Sequence, residues 1–196
     1  MDEKLADSSS KRLIAGAALA LFAEKGFESV GVNEIAAKAA RAKPSLYHHF
    51  GSKTGLLCDI FAERGAALLE MTRREAAYQH DIVMNLRNLF GGVLDFARSE
   101  ADFFRLMLRF FASRPQAPGN AEAAAPLRAA LIAEYRALFA AAAGDHGNMR
   151  GREVLYAETF WALSESCAAL ELNGVFHFDQ AARFRTVHQY MHGIFS

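Results

Sequence analysis

Arg41, Lys43, Pro44, Ser45, Tyr47, His48 and Lys53 lie in one short stretch that holds no acidic residue between its ends. Guanidinium and ammonium groups pair with phosphate, while hydroxyls and an imidazole hydrogen-bond to phosphate oxygens and to base edges. Such a set is built to hold a polyanion, and double-stranded DNA is the polyanion it fits. Chemistry of other kinds is poorly represented. The chain has no Gly-rich phosphate loop, no nucleophile elbow and no metalloprotease pattern. Glu158, Glu165 and Glu171 are spread along one stretch without a base or metal partner, so no enzyme is expected. His188 and His192 stand at i, i+4, with His177 upstream, a spacing that can hold a metal from one helix face. No neighbouring carboxylate or cysteine completes a ligand set there, so neither a metal nor a cofactor is expected.

The binding residues need elements to present them. Val32, Ile35, Ala36 and Ala39 recur at helical spacing. After a short gap, Lys43 to Phe50 forms a second pattern, with Pro44 early, where its missing N–H does no harm. Leu46 and Phe50 (i, i+4) turn inward, which leaves Lys43, Ser45, Tyr47 and His48 on the remaining surface. Two short helices with a tight connection make a helix-turn-helix, whose second helix enters the major groove. His49 is either a further DNA contact or a packing residue.

The rest of the chain also reads as helical: proline is scarce, alanine abundant, and no alternating pattern appears. Ser8, Ser9 and Ser10 offer N-caps for a first helix that ends at Lys25-Gly26. Ser52 caps a fourth helix running towards Tyr78. Asp81 caps a fifth, Ile82 to about Ser99, weakened in the middle by Gly91-Gly92. A sixth, Asp102 to Ser113, is apolar nearly all round and therefore buried, with Arg105 and Arg109 together on one face. A loop containing Pro115, Pro118 and Gly119 precedes a seventh helix beginning near Pro126, and Gly144 to Gly151 forms the next loop. The last two helices run from about Arg152 to Leu172 and from Asp179 to Phe195. The prediction is an all-α chain of about nine helices: a three-helix helix-turn-helix DNA-binding domain, residues 1–51, followed by a larger helical domain, residues 52–196, for regulation and dimerisation.

Apolar residues make up 52% of the 196, enough for a packed core. No window resembles a membrane span, and the polar, acidic start MDEKLADSSSKR does not read as a secretory signal, so the expected location is cytoplasmic. Cys58 and Cys167 sit in apolar patterns as buried thiols. The net charge of zero conceals a split: Ser8 to Thr54 carries seven cations against three anions, +4, leaving −4 for the remainder. A basic head on an acidic body fits a DNA-facing domain joined to a regulatory one.

Taken together, GFESVGVNEIAAKAARAKPSLYHHFGSKTGLL, from Gly26 to Leu57, resembles the N-terminal signature of the TetR family of transcriptional regulators. The anchors are Gly26-Phe27, Val32, Ile35-Ala36, Ala39, Leu46-Tyr47, Phe50, Ser52-Lys53 and Leu56-Leu57. The resemblance implies a homodimer on a palindromic operator, usually a repressor released by a small molecule bound in the helical body. It places Lys43, Pro44, Ser45, Tyr47 and His48 against bases and phosphates, and Lys53 on a phosphate; Arg41 would add one more such contact. Three departures stand out: Gly31 where the family often has Ser or Thr, Ala40-Arg41-Ala42 where Gly-Val-Ser is common, and Thr54-Gly55 in place of a commonly acidic start.

Phe61, Tyr78, Phe96, Phe103, Met107, Phe110, Phe111, Tyr135, Phe139 and Trp161 are candidates to line a cavity for a hydrophobic or aromatic effector, although aromatic stripes also serve as plain core. Val154, Trp161, Ser164 and Ala168 on the eighth helix, and Phe184, Val187, His188 and Met191 on the ninth, form narrow rows that would pack across a dimer axis. Two other readings remain: a ligand-independent regulator or activator with the same head, and a ligand-binding helical protein whose head no longer binds DNA.

Overall fold

The computed structural model describes residues 2–114 and 116–192, so Pro115 and Phe195, named in the readings above, lie outside the described residues. Among these the chain is all-α: α1 (Asp2–Lys25), α2 (Val32–Lys38), α3 (Lys43–Phe50), α4 (Lys53–Ala76), α5 (Ile82–Ser99), α6 (Ala101–Phe111), α7 (Ala125–Asp145), α8 (Glu153–Leu172) and α9 (Gln180–His192). A short π segment, Asn120–Ala124, precedes α7, and a 3₁₀ turn, Gly147–Met149, precedes α8. The described residues fall into two compact units. Those up to Ala66, with Asp102–Leu127, form the first; Ala67–Ala101 and the residues from Arg128 onward form the second. Helix α4 supplies residues to both.

In the first unit α1, α2 and α3 pack on one another. Ile14, Ala18, Leu21 and Phe22 of α1 share a face because they recur at helical spacing, and that face is buried with Ile35 of α2, Leu46 of α3 and Leu56 and Leu57 of α4. The serines at 8–10 do not cap α1, which instead begins at Asp2 and runs through them. A serine inside a helix costs only a few tenths of a kcal/mol, ~0.5, which the backbone bonds of the longer helix offset. Ser52 does act as a start signal, its Oγ accepting from Gly55 N at 2.9 Å. Gly55 is itself dictated by this turn: a Cβ there would lie 2.1 Å from the Phe50 carbonyl oxygen.

The connection between α2 and α3 is strained. Ala40 has φ +50, the left-handed region in which a Cβ crowds the following carbonyl at about 1–2 kcal/mol. Neither neighbouring helix has a side-chain cap, since Gly31 and Ala42 occupy the two N-cap positions. The departures from the family's turn thus have a structural cost at Ala40 and Ala42.

The second unit is organised by α5, which packs on α8 and α9. Asp81 caps it, accepting from Met84 N at 2.9 Å. Asn85, buried on its first turn, donates to the carbonyls of Glu75 and Ala77 at 2.7 and 3.0 Å. One amide thus satisfies two carbonyls at the end of α4 and fixes the path into α5. The Gly91-Gly92 pair does not break α5. Gly92 instead permits close packing on α4, because a Cβ at this position would meet Met71 Sδ at 2.6 Å.

Replacing Ala40 by Gly removes the left-handed strain and adds the smaller entropic cost of a glycine. Ala40→Gly is expected to raise stability by about 0.5–1 kcal/mol, read as a higher midpoint of urea unfolding at unchanged m-value.

Candidate nucleic-acid interface and effector cavity

Helix α3 stands on Leu46, which is wholly buried, and this rotates the opposite face to solvent: Lys43, Pro44, Tyr47 and His48 are exposed and Ser45 is half-buried. The Lys43 ammonium lies 5.9 Å from the centre of the Tyr47 ring, one helical turn away. Arg41 curls its guanidinium onto the carbonyl of Ala40 at 2.9 Å. His49 takes the packing alternative, its side chain only 7% exposed while that of His48 is 75% exposed. Of the cations in the basic head, Lys11 is paired with Asp59 at 2.6 Å and Lys25 with Glu34 at 2.5 Å. Of the others, Arg12 is exposed on α1, and Lys38, Arg41 and Lys43 stand on or beside α2 and α3.

Lys53 is held inside the first unit. Its ammonium donates to the carbonyls of Phe27 and Val30 at 3.0 and 3.1 Å and sits 4.3 Å above the Phe27 ring. These are contacts to the loop between α1 and α2, so the lysine ties the start of α4 to that loop.

The ten candidates for one effector cavity do not come together around it. Phe61, Phe103, Met107, Phe110 and Phe111 are buried side chains of the first unit. There Phe22, Phe27, Phe110, Phe61 and Phe103 form a continuous edge-to-face series with ring centres 5.2–6.0 Å apart. Tyr135 and Trp161 pack edge to face at 5.1 Å in the core of the second unit, and Tyr78 donates to Asp145 at 3.0 Å. Phe139 alone of the ten lines the apolar cavity of that unit, about 550 Å³ between α5, α7, α8 and α9. Its walls are Ile82, Val83, Leu86, Met149, Leu155, Tyr156 and Met191, with polar groups from His146, Asn148, Thr159 and Tyr190. Thr159 and Tyr190 are joined hydroxyl to hydroxyl at 2.9 Å, and Tyr190 donates to the Tyr156 carbonyl at 2.7 Å. His146 Nε2 is buried without a hydrogen-bond partner. Sequence reasoning missed these residues, since none but Met191 had been singled out. The usable signal was polar Thr159 and Tyr190 amid apolar positions on the last two helices. A larger depression of about 880 Å³ includes Phe96, but Arg74, Glu75, Arg87, Asp95 and Arg183 line it, a poor match to an apolar molecule.

The dimer seam also needs correction. Trp161, Ser164, Ala168 and Val187 are interior residues of the second unit, and Ser164 Oγ donates to the Phe160 carbonyl at 2.8 Å. A regular apolar row buries equally well within a chain as between chains, and these four are used within it. Val154, Phe184 and His188 are exposed and Met191 is half-buried, with Leu155, Leu170, Val175 and Phe176 as further exposed apolar side chains. Cys58 and Cys167 are free thiols; Cys167 is buried as expected, whereas Cys58 is only half-buried.

Residues 14–60 match the family of bacterial regulatory proteins described as tetR family. These residues, which run from α1 to the start of α4, are similar to the N-terminal domain of that family. That family consists of DNA-binding regulators and is not an enzyme class. The HTH-type transcriptional activator FasR of Mycolicibacterium smegmatis is 28% identical over 158 residues, 80% of this chain and 69% of that one. Among solved structures, the transcriptional regulator FadR of Bacillus subtilis in complex with stearoyl-CoA aligns at TM-score 0.77 with 16% identity, covering 93% of this chain and 98% of the other. The fatty acid degradation regulator FadR of Bacillus halodurans aligns at 0.76 with 14% identity, over 94% and 96%. At these identities the two structures establish a shared fold alone. Among the described residues no helix is long and apolar enough to cross a membrane.

Two outcomes follow for this scaffold. Lys53→Ala removes a charged donor from two carbonyls and should cost about 1–2 kcal/mol, measured by denaturant unfolding in the absence of DNA. Glu165 lies beside Trp161 with one carboxylate oxygen buried and unpartnered. Burial pushes this carboxyl from its ordinary 4.5 up to about 7, against the Trp161 hydrogen bond and the charge of Arg128. The folded chain therefore keeps a proton that the unfolded chain loses, and stability, full below about pH 4.5, declines as pH rises to about 7. Glu165→Gln should flatten that decline when unfolding is measured across the same range.

Proposed function

We propose that the chain is a homodimeric repressor that binds a palindromic operator through α3 and leaves it when a small apolar or aromatic molecule enters the second unit. The observation that carries the reading is the exposed Lys43–Tyr47–His48 surface on the second helix of a helix-turn-helix with the tetR signature. Residues 1–51 act as the DNA-binding domain, and residues 52–196 bind the effector and the partner copy. Lys43, Pro44, Ser45, Tyr47, His48 and Arg41 meet DNA. Lys53 sets the loop behind them and reaches phosphate when the operator is present. The exposed side chains of α8 and α9, Leu155, Leu170 and Phe184 with Val154 and His188, meet a second copy.

The cavity of about 550 Å³ is within the size range of small-molecule sites and has their usual make-up, apolar walls with a few polar groups. FadR of Bacillus subtilis is described in complex with stearoyl-CoA, and an apolar chain with a hydrogen-bonding head is the effector class that the Thr159–Tyr190 end and His146 would suit. Effector binding works by shifting population towards the dimer whose two α3 helices are misspaced for the operator. Helix α4 is the lever, since it runs unbroken from Lys53 to Ala76. The protein would act in the cytoplasm. Activation is the second reading, favoured by the similarity to FasR, a transcriptional activator.

The test is salt-titrated binding to DNA flanking the chain's own coding region, followed by transcription from that DNA. Wild-type affinity should fall steeply with salt, and Lys43→Ala should reduce the slope of log K against log salt by about 1. Tyr47→Ala should weaken binding by at least about ten-fold, roughly the 1.4 kcal/mol of one good contact. Unchanged binding in both variants overturns the assignment of α3. Thermal-shift measurement with an acyl series should find a ligand that raises stability by about 2.7 kcal/mol at a hundred times its Kd, and Thr159→Phe, which fills the cavity, should abolish that shift.

A further inference from the structure

We propose that Asp7, His48 and His49 form a binding site for a divalent transition-metal ion of the zinc class, joining α1 to α3. Asp7 Oδ1 lies 3.6 Å from His49 Nε2 and 4.0 Å from His48 Nε2, and the three ligand atoms are all within 4.8 Å of one another. A tetrahedral zinc with ligands at about 2.0–2.2 Å places its ligand atoms roughly 3.3 Å apart. The two Asp7 distances are within about an ångström of that edge. Side-chain rotation alone can close the remainder, because His48 and Asp7 are 75% and 58% exposed.

Two features distinguish this triad from chance neighbours on a surface. Consecutive residues of a helix diverge by about 100°, yet the rings of His48 and His49 stand with centres 5.2 Å apart and both present Nε2 to the same carboxylate. His49 is also prearranged: its side chain is only 7% exposed and its ring lies against Phe50, centres 5.9 Å apart. An ion therefore meets one fixed imidazole and recruits two mobile ligands, which lowers the ordering cost of binding. Two neutral imidazoles and one carboxylate are the ligand types that zinc takes, and three protein ligands leave the fourth position open to water.

The consequence rests on the reading of α3 as the DNA-contacting helix. An ion that occupies His48 Nε2 ties that side chain back to α1, so metal and operator compete for it. By reciprocity each lowers the other's affinity by the same factor.

The site is tested without DNA, by adding Co²⁺ to untagged, chelator-treated protein and following the visible absorption of tetrahedral cobalt, with Zn²⁺ as competitor. The expected result is one ion per chain, with Asp7→Asn and His49→Gln each weakening binding by at least about ten-fold. Asp7→Asn serves if loss of the packed His49 ring impairs folding. The paired rings of His188 and His192, centres 4.4 Å apart, are the rival ligands, so the double variant His188→Gln/His192→Gln should bind as wild type does. No tetrahedral band, or a band that survives Asp7→Asn and vanishes in the double variant, overturns the site. In a separate arm, saturating Zn²⁺ should weaken operator binding of wild type several-fold and leave Asp7→Asn unaffected. Equal effects in both overturn the competition. Failure of metal-free wild type to bind the operator sinks the DNA reading and leaves the cobalt result to decide the site.

Discussion

The packing of Phe27 joins α1, α6 and the start of α4 within the first unit. Its ring meets Phe22 of α1 on one side and Phe110 of α6 on another, while the Lys53 ammonium lies over it. Edge-to-face aromatic pairs contribute about 0.5–1.5 kcal/mol beyond the area they bury. The series continues through Phe110 to Phe61 and Phe103, so residues separated widely in sequence share one rigid hydrophobic seam within the first unit. The short helices α2 and α3 are seven and eight residues long, too short to persist alone. They depend on this seam and on Leu46 for their orientation, and the exposed face of α3 inherits its direction from what is buried beneath it.

Much of this was legible in the chain. The residues from Gly26 to Leu57 declare two short helices and their inner and outer faces, and Ser52 and Asp81 cap the helices they were expected to cap. What was not legible has a common physical cause. Periodicity reports which side chains leave water, and it is silent about whether they meet their own chain, a second copy or a cavity. Trp161, Ser164, Ala168 and Val187 have the regular spacing of a seam and are spent inside the second unit. Phe61, Phe103 and Phe110 have the aromatic richness of a pocket lining and fill the space themselves. Lys53 reads as a surface cation until the Phe27 and Val30 carbonyls appear beside it. The left-handed turn at Ala40 was hidden for another reason, since alanine carries no signal for that conformation.

The neutral total charge is a further case in which position outweighs sum. Acidic partners absorb Lys11 and Lys25 within the first unit, so the count of cations overstates the field at α3. Lys38, Arg41 and Lys43 are the cations that stand on or beside α2 and α3.

Gly92 and Met71 show how α4 and α5 fit together in the second unit. The spacing of α4 and α5 at that point is set by a sulfur occupying the place of an absent methyl group. A Cβ at 92 would meet that sulfur at 2.6 Å, so any side chain there requires the thioether to shift. Met71 is half-buried on a flexible side chain, so the contact can be relieved by rotating one thioether, and the fit between α4 and α5 is adjustable here without any movement of backbone.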